Sequence, residues 1–237
     1  MRIMNFLKNL FPSPFKIHRL VEVLSILLFL VFLGMCLYQF AKMSLPILQD
    51  SPRIFFSKLL ALLFLAYIAA DFLSGLVHFL GDSFGNEFTP YIGPAFIFPF
   101  RDHHVDPKGI TRHDFVETNG NNCLVSLPIL LYCFFAPLKS GDFPWMRTFW
   151  TLVLVGIFFT NQIHKWAHQD EPNTFIRYMQ KKHWILSPEH HKIHHTAPYD
   201  TYFCITTGWW NPLLHKIRFF PAVKKSVNSF LDLLHIR

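Results

Sequence analysis

The sequence predicts an all-α, polytopic membrane protein of about four transmembrane helices with a histidine-rich cap on the cytoplasmic side. Three observations predict it. Of 237 residues, 51% are hydrophobic and 16% charged, with a mean hydropathy of +0.27, whereas a soluble domain carries about 25% charged residues. Apolar runs long enough to cross a bilayer recur along the chain. Fourteen histidines gather at the ends of those runs and in the segments between them. Length implies one domain, read as an anchor helix and loop (1–58), a core (59–218) and a tail (219–237).

The first run, Val21–Phe40, has 20 residues and a single charge, Glu22. At 1.5 Å per residue it spans about 30 Å, the thickness of the hydrocarbon core. Its length, and the absence of a small-residue cleavage site after Phe40, mark it as an anchor and not a cleaved signal. Leu59–Leu80 is the second span and carries Asp71 and His78. Cys123–Leu138 is weaker, with Pro128 and Pro137, and reads either as a crossing or as a re-entrant segment. Phe149–Ile163 is the last. A parity argument favours four crossings: without the Cys123–Leu138 crossing, histidines after the second and last spans face opposite compartments.

Charge orients the chain. Lys and Arg number 4 before Val21, 3 in residues 81–122 and 10 after His164, against 3 and 2 in the intervening loops. The positive-inside rule then puts both termini in the cytoplasm. The net charge of +7 does not indicate nucleic acid, because the basic residues flank apolar runs and form no stripe of their own. Cys36, Cys123, Cys133 and Cys204 lack CxxC spacing, so reduced thiols are expected.

Helical spacing organises the histidines. His78 and Asp82 are four apart at the cytoplasmic end of the second span, and His164 and His168 repeat the spacing after the last, so each pair shares a helix face. His103 and His104 sit in the segment 101–122, read as a loop dense in functional groups. In Ser187-Pro-Glu-His-His-Lys-Ile-His-His195, Ser187 reads as an N-cap and Pro188 as the first helical residue. There His191, His194 and His195 share a face, and His190 pairs with His194. Eight or more imidazoles exceed the roughly three or four that one zinc takes. They match two metals with positions open to O2. A lone His18 or His235 reads as a surface residue.

Other polar residues leave alternatives open. Asp71, inside a span, either accepts a hydrogen bond from a ligand imidazole or is neutral and bonded to a neighbouring helix. Asp82 is a ligand, a partner of a ligand, or a helix-end carboxylate. Arg101, Lys108 and Arg112 either hold a lipid phosphate or meet anionic headgroups at the membrane surface. The aromatics of Tyr199–Trp210 form an interface belt or the wall of an acyl pocket.

Six stretches carry a family resemblance: Asp71-Phe-Leu-Ser-Gly-Leu-Val-His78, Phe100-Arg-Asp-His-His-Val-Asp-Pro107, Ile110–Gly120, Asn161-Gln-Ile-His-Lys-Trp-Ala-His168, His190-His-Lys-Ile-His-His195 and Thr201–Trp209. Across residues 65–218 the chain resembles the plasmanylethanolamine desaturase family, with nothing diagnostic before that core or after Phe219. The resemblance implies a membrane di-iron enzyme converting the 1-O-alkyl chain of an ether phospholipid to a vinyl ether. It implies two iron ions, O2 as co-substrate, and two electrons from cytochrome b5 or an equivalent donor. The iron ligands it implies are His78, His103, His104, His164, His168, His191, His194 and His195, with His190 and, in an auxiliary place, His183 also in matching motifs. The Ile110–Gly120 stretch favours this branch over a plant branch that desaturates the acyl chain of phosphatidylglycerol. Departures are Phe79, where the family more often has Trp, and a short connector around Asp170–Arg177. The expected membrane is the endoplasmic reticulum for a eukaryotic chain and the inner membrane for a bacterial one. Competing readings are a lipid hydroxylase, a zinc hydrolase, a haem electron carrier and a membrane metal transporter.

Overall fold

A computed structural model describes residues 14–90, 92–137 and 145–233, and among these residues every regular element is helical. Leu138 and residues 234–237, and with them His235, lie outside the described residues. Helix α1 (Pro14–Asp50) and helix α2 (Pro52–Ser83) are 37 and 32 residues long. Both are long and apolar enough to cross a membrane. Each starts on a proline, whose missing N–H costs nothing in a first turn. The expected connector 41–58 is therefore helical except at Ser51, because Pro52 interrupts the amide ladder and at once begins the next helix. Leu20, Leu27 and Val31 on α1 and Leu60 and Phe64 on α2 are more than half exposed. Apolar surface of that extent needs a lipid or protein cover.

The chain divides into two compact units, one running to Ala66 and resuming over His113–Phe158, the other comprising Tyr67–Arg112 and Phe159 onward. In the first, α1 packs along α5 (Phe115–Phe135). Ile26, Phe29, Cys36, Cys123, Leu127 and Leu130 form its core. Helix α5 begins eight residues before the expected Cys123. Asp114 caps it by accepting from the Glu117 amide at 3.0 Å and pairs with Arg19, and Asn119 donates to the Phe115 carbonyl at 2.8 Å. Polar side chains that hid the helix from a hydropathy reading thus bond to its own backbone. At its other end Arg147 donates to the Phe134 carbonyl at 2.6 Å, closing a C-terminus that would otherwise leave acceptors open.

The second unit holds the distal half of α2, a π-helical turn (Gly93–Ile97), α3 (Phe98–Val105) and α4 (Gly109–Arg112). It continues with the end of α6 (Trp145–Ala167), then α7 (Thr174–Lys181), α8 (Pro188–His194), α9 (Asn211–Lys216) and α10 (Phe219–Leu233). The expected loop 101–122 is therefore mostly helix. Its helices of four and eight residues are too short to show a period in sequence. Two apolar clusters support the unit, one around Ile163, Ile185, Leu186 and Ile205, the other around Phe79, Phe203, Leu214 and Phe220. The connection from α8 to α9 runs over Asp71. One oxygen of that buried carboxylate accepts from the amides of Thr206, Thr207 and Gly208 at 3.1, 2.7 and 2.9 Å. Gly208 adopts φ +77°, and a Cβ there would stand 2.6 Å from the His190 ring, so glycine is required on both counts.

Candidate metal centre

Four segments of the second unit converge on two groups of ligand atoms. The first group comprises His103 from the end of α3, His164 from α6 and His168 just past its end, and His191 from α8 and His195, the residue that caps its C-terminus. The second comprises His78 and Asp82 from α2, His104 from α3 and His194 from α8. Within each group the ligand atoms lie within 4.8 Å of one another. The i,i+4 pairs at 78/82, 164/168 and 191/195 each serve one group, because that spacing stacks two side chains on one face. His194, one position round the helix from His195, serves the other group. Adjacent His103 and His104 divide in the same way. The helical register that presents α8 starts at Ser187, whose hydroxyl accepts from the His190 amide at 3.3 Å, with Pro188 following as the first helical residue.

In the five-histidine group the Nε2 atoms form a chain of short contacts. His164 and His191 are 2.8 Å apart, His191 and His195 3.0 Å, His103 and His195 3.1 Å, and His164 and His168 3.2 Å. Each imidazole nitrogen has either one N–H or one lone pair to offer. Pairwise hydrogen bonding therefore leaves at least one of the five unmatched. One cation uses all five lone pairs. Neighbouring donors about 2.1 Å from a metal at right angles lie about 3.0 Å apart, which is the spacing observed.

The four-residue group has its lone pairs held in place. His78 Nδ1 donates to the Phe203 carbonyl at 3.2 Å and His194 Nδ1 to the Thr201 carbonyl at 2.8 Å. Those bonds leave both Nε2 atoms as acceptors. Each lies 3.4 Å from Asp82 Oδ2, which also lies 3.0 Å from His104 Nε2. Among the described residues, His78 Nε2, His194 Nε2 and Asp82 Oδ1 are buried without a hydrogen-bond partner. Buried acceptors turned on a carboxylate are costly unless a cation lies between them. Backbone carbonyls that orient metal-binding imidazoles are the usual support of such a site.

Electrostatics agree. Burial first, then the neighbouring imidazoles, pushes His103 and His191 well below the ordinary histidine range. The same causes bring His168 down to about 4 and His195 to about 2. At neutral pH these rings are uncharged, which is the ligating form. Both groups suit metal binding.

Several sequence expectations land elsewhere. His190 lies outside both groups, its Nε2 3.1 Å from the Asn211 side-chain amide nitrogen, which can donate to it. His183 is exposed, with φ +54° and its carbonyl accepting from the Trp209 indole at 2.6 Å. Asp71 accepts from the backbone amides of the α8–α9 connection. Lys108 pairs with Asp170 at 2.6 Å and Arg112 pairs with Asp106, so carboxylates already engage two of the three cations expected at a headgroup. Arg101 donates to the Gly85 carbonyl. Phe203 and Thr201 went unnoticed because a carbonyl that orients a ligand carries no side-chain signature. Asp82 was one of three alternatives, and the structure places it among imidazoles.

The lipid desaturase domain model matches residues 67–232. The chain belongs to the lipid desaturase domain family. The match contains both ligand groups and extends through most of α10, beyond the limit the motifs alone set near residue 218. The chain is 47% identical over 176 residues to a plasmanylethanolamine desaturase of Myxococcus xanthus, covering 74% of this chain and 63% of that protein. It is 49% identical over 169 residues to plasmanylethanolamine desaturase 1 of Mus musculus, covering 68% and 62%. A more distant family likeness is fatty acid desaturase 4, chloroplastic, of Arabidopsis thaliana, at 31% over 160 residues, covering 67% and 48%. The matched region is thus less than two thirds of each of these relatives' length. No solved structure matches the chain.

Proposed function

We propose that this lipid desaturase domain oxidises the 1-O-alkyl chain of an ether phospholipid to a vinyl ether, with O2, two electrons and two irons. The observation that carries the proposal is the pair of adjoining ligand groups, eight imidazoles and one carboxylate, in a single compact unit. Similarity to two plasmanylethanolamine desaturases supports the substrate.

Iron held by these residues would supply the oxidising power to take hydrogen from an unactivated methylene, which no side-chain base can do. The five-histidine group would hold one ion and His78, Asp82, His104 and His194 the other. The protein's part is to keep the imidazoles neutral, to aim them through the Phe203 and Thr201 carbonyls, and to exclude water with the buried Phe79 and Phe203. Electrons would come from cytochrome b5 or an equivalent carrier.

The topology proposed has α1, α2, α5 and α6 crossing the bilayer, with both termini and the metal centre cytoplasmic. Helices α5 and α6, of 21 and 23 residues, reach about 31 and 34 Å. That membrane is the endoplasmic reticulum in a eukaryotic cell and the inner membrane in a bacterium. A haem site is disfavoured, because five imidazole nitrogens within 4.8 Å leave no plane for a macrocycle whose iron takes its axial ligands from opposite faces. Desaturation of an ester-linked acyl chain, as the name of the Arabidopsis relative describes, and hydroxylation would use the same ligands and differ in product.

Lipids of cells expressing His191→Ala or His164→Ala should contain no acid-labile vinyl ethers above background, whereas the unaltered chain should produce them. Product retained in either variant would reject the assignment.

A further inference from the structure

The motifs did not reach the tail, yet α10 borders the metal centre. A cleft of about 660 Å³ opens beside the second ligand group, and Asp82 and His104 line its inner end. Its floor is aromatic: Phe79, Phe203 and Phe220 pack with ring centroids 4.8–5.4 Å apart and are almost fully buried. Its rim carries Arg101 and two exposed lysines from the first half of α10, Lys224 and Lys225, together with the carboxylates of Asp200 and Asp232. A second cleft, of about 700 Å³, also has cations, Arg177 and Lys181, but none of the nine clustered ligands lines it.

The substrate's own geometry chooses between the two. In an ether glycerophospholipid the carbon to be oxidised is six bonds from phosphorus, a reach of about 7 Å when extended. A phosphate site must therefore share a cavity with metal ligands. We propose that the cleft between α10 and His104 seats the substrate phosphate, with Lys224, Lys225 and Arg101 as its cations and the Phe79–Phe203–Phe220 floor beneath the glycerol and ether carbons. This inference rests on the ether-lipid reading above and assigns its headgroup contacts. It also replaces the expected trio: Lys108 and Arg112 are held by carboxylates, and α10 supplies two cations in their stead.

The test is steady-state kinetics of the purified full chain in lipid nanodiscs, on a 1-O-alkyl-2-acyl phosphoethanolamine and on the same lipid lacking phosphate, a 1-O-alkyl-2-acylglycerol. Lys224→Gln/Lys225→Gln should raise KM for the phospholipid at least about tenfold, the loss expected from even one charge-assisted hydrogen bond. Iron content, kcat and the KM for the phosphate-free lipid should hold. The unaltered chain should prefer the phospholipid, and the double variant should lose that preference. An unchanged phospholipid KM, or an equal rise in KM for both lipids as loss of a general membrane attraction would give, overturns the phosphate site and leaves the ether-lipid reading intact. If the unaltered chain makes a vinyl ether from neither lipid, that reading fails and the phosphate site fails with it.

Discussion

Asp71 shows how a charged residue inside an apolar run earns its place. Its carboxylate gathers three amides of the 206–208 backbone at 2.7–3.1 Å. The same connection presents the Phe203 carbonyl that holds His78. Loss of the carboxylate would strand three buried donors, and each hydrogen bond to a charged group contributes about 1.5–3 kcal/mol. Asp71→Ala should therefore lower stability by about 3 kcal/mol or more, read as an early midpoint in detergent-solubilised thermal unfolding; a midpoint within a degree of the unaltered protein would contradict this role. Sequence left Asp71 two partners, a ligand imidazole or a neighbouring helix. It could not show that a connection more than 130 residues away would claim the carboxylate first. His190 stands apart from the two ligand groups for a similar reason. It lies beside a ligand in sequence, but its ring turns to Asn211 on α9, a pairing that no local spacing encodes.

Helix α8 divides its histidines between two sites. Only seven residues long, it sends His191 and His195 to one ligand group and His194 to the other. Its start was legible, since a serine cap before proline carries its own chemistry. The division was not, because residues 191, 194 and 195 share one broad face, and what lies opposite each is set by α2, α3 and α6. The division has a measurable consequence. His194→Ala and His195→Ala should each lower iron from about two ions per chain toward one, since loss of a ligand weakens metal binding by well over the roughly 10–100-fold cost of losing a supporting partner. The two variants should differ in the spectroscopic signal of the iron that remains. Identical residual spectra would show that the groups are not separate sites. Helices α3 and α4 were missed altogether: α3 is rich in His, Asp and Arg and α4 has only four residues, so neither leaves an apolar period to read.

Hydropathy at the scale of the whole chain revealed the two long helices, because lipid-facing residues need no partner and so leave long uninterrupted apolar runs. It underestimated α5, where Asp114, Asn119 and Asn122 satisfy backbone groups in and beside the helix. The candidate ligands were legible as residue types and not as a geometry: of nine histidines expected at a metal, eight gather in the two groups. Residue type and helical spacing name the donors, whereas grouping into five and four depends on distances between elements far apart in number. On the function proposed above, each group holds an iron ion and desaturation needs both, so the decisive measurement is the iron content of purified protein that is making vinyl ether. Two iron ions per active chain are expected, and activity that persists with one iron or none would contradict the claim.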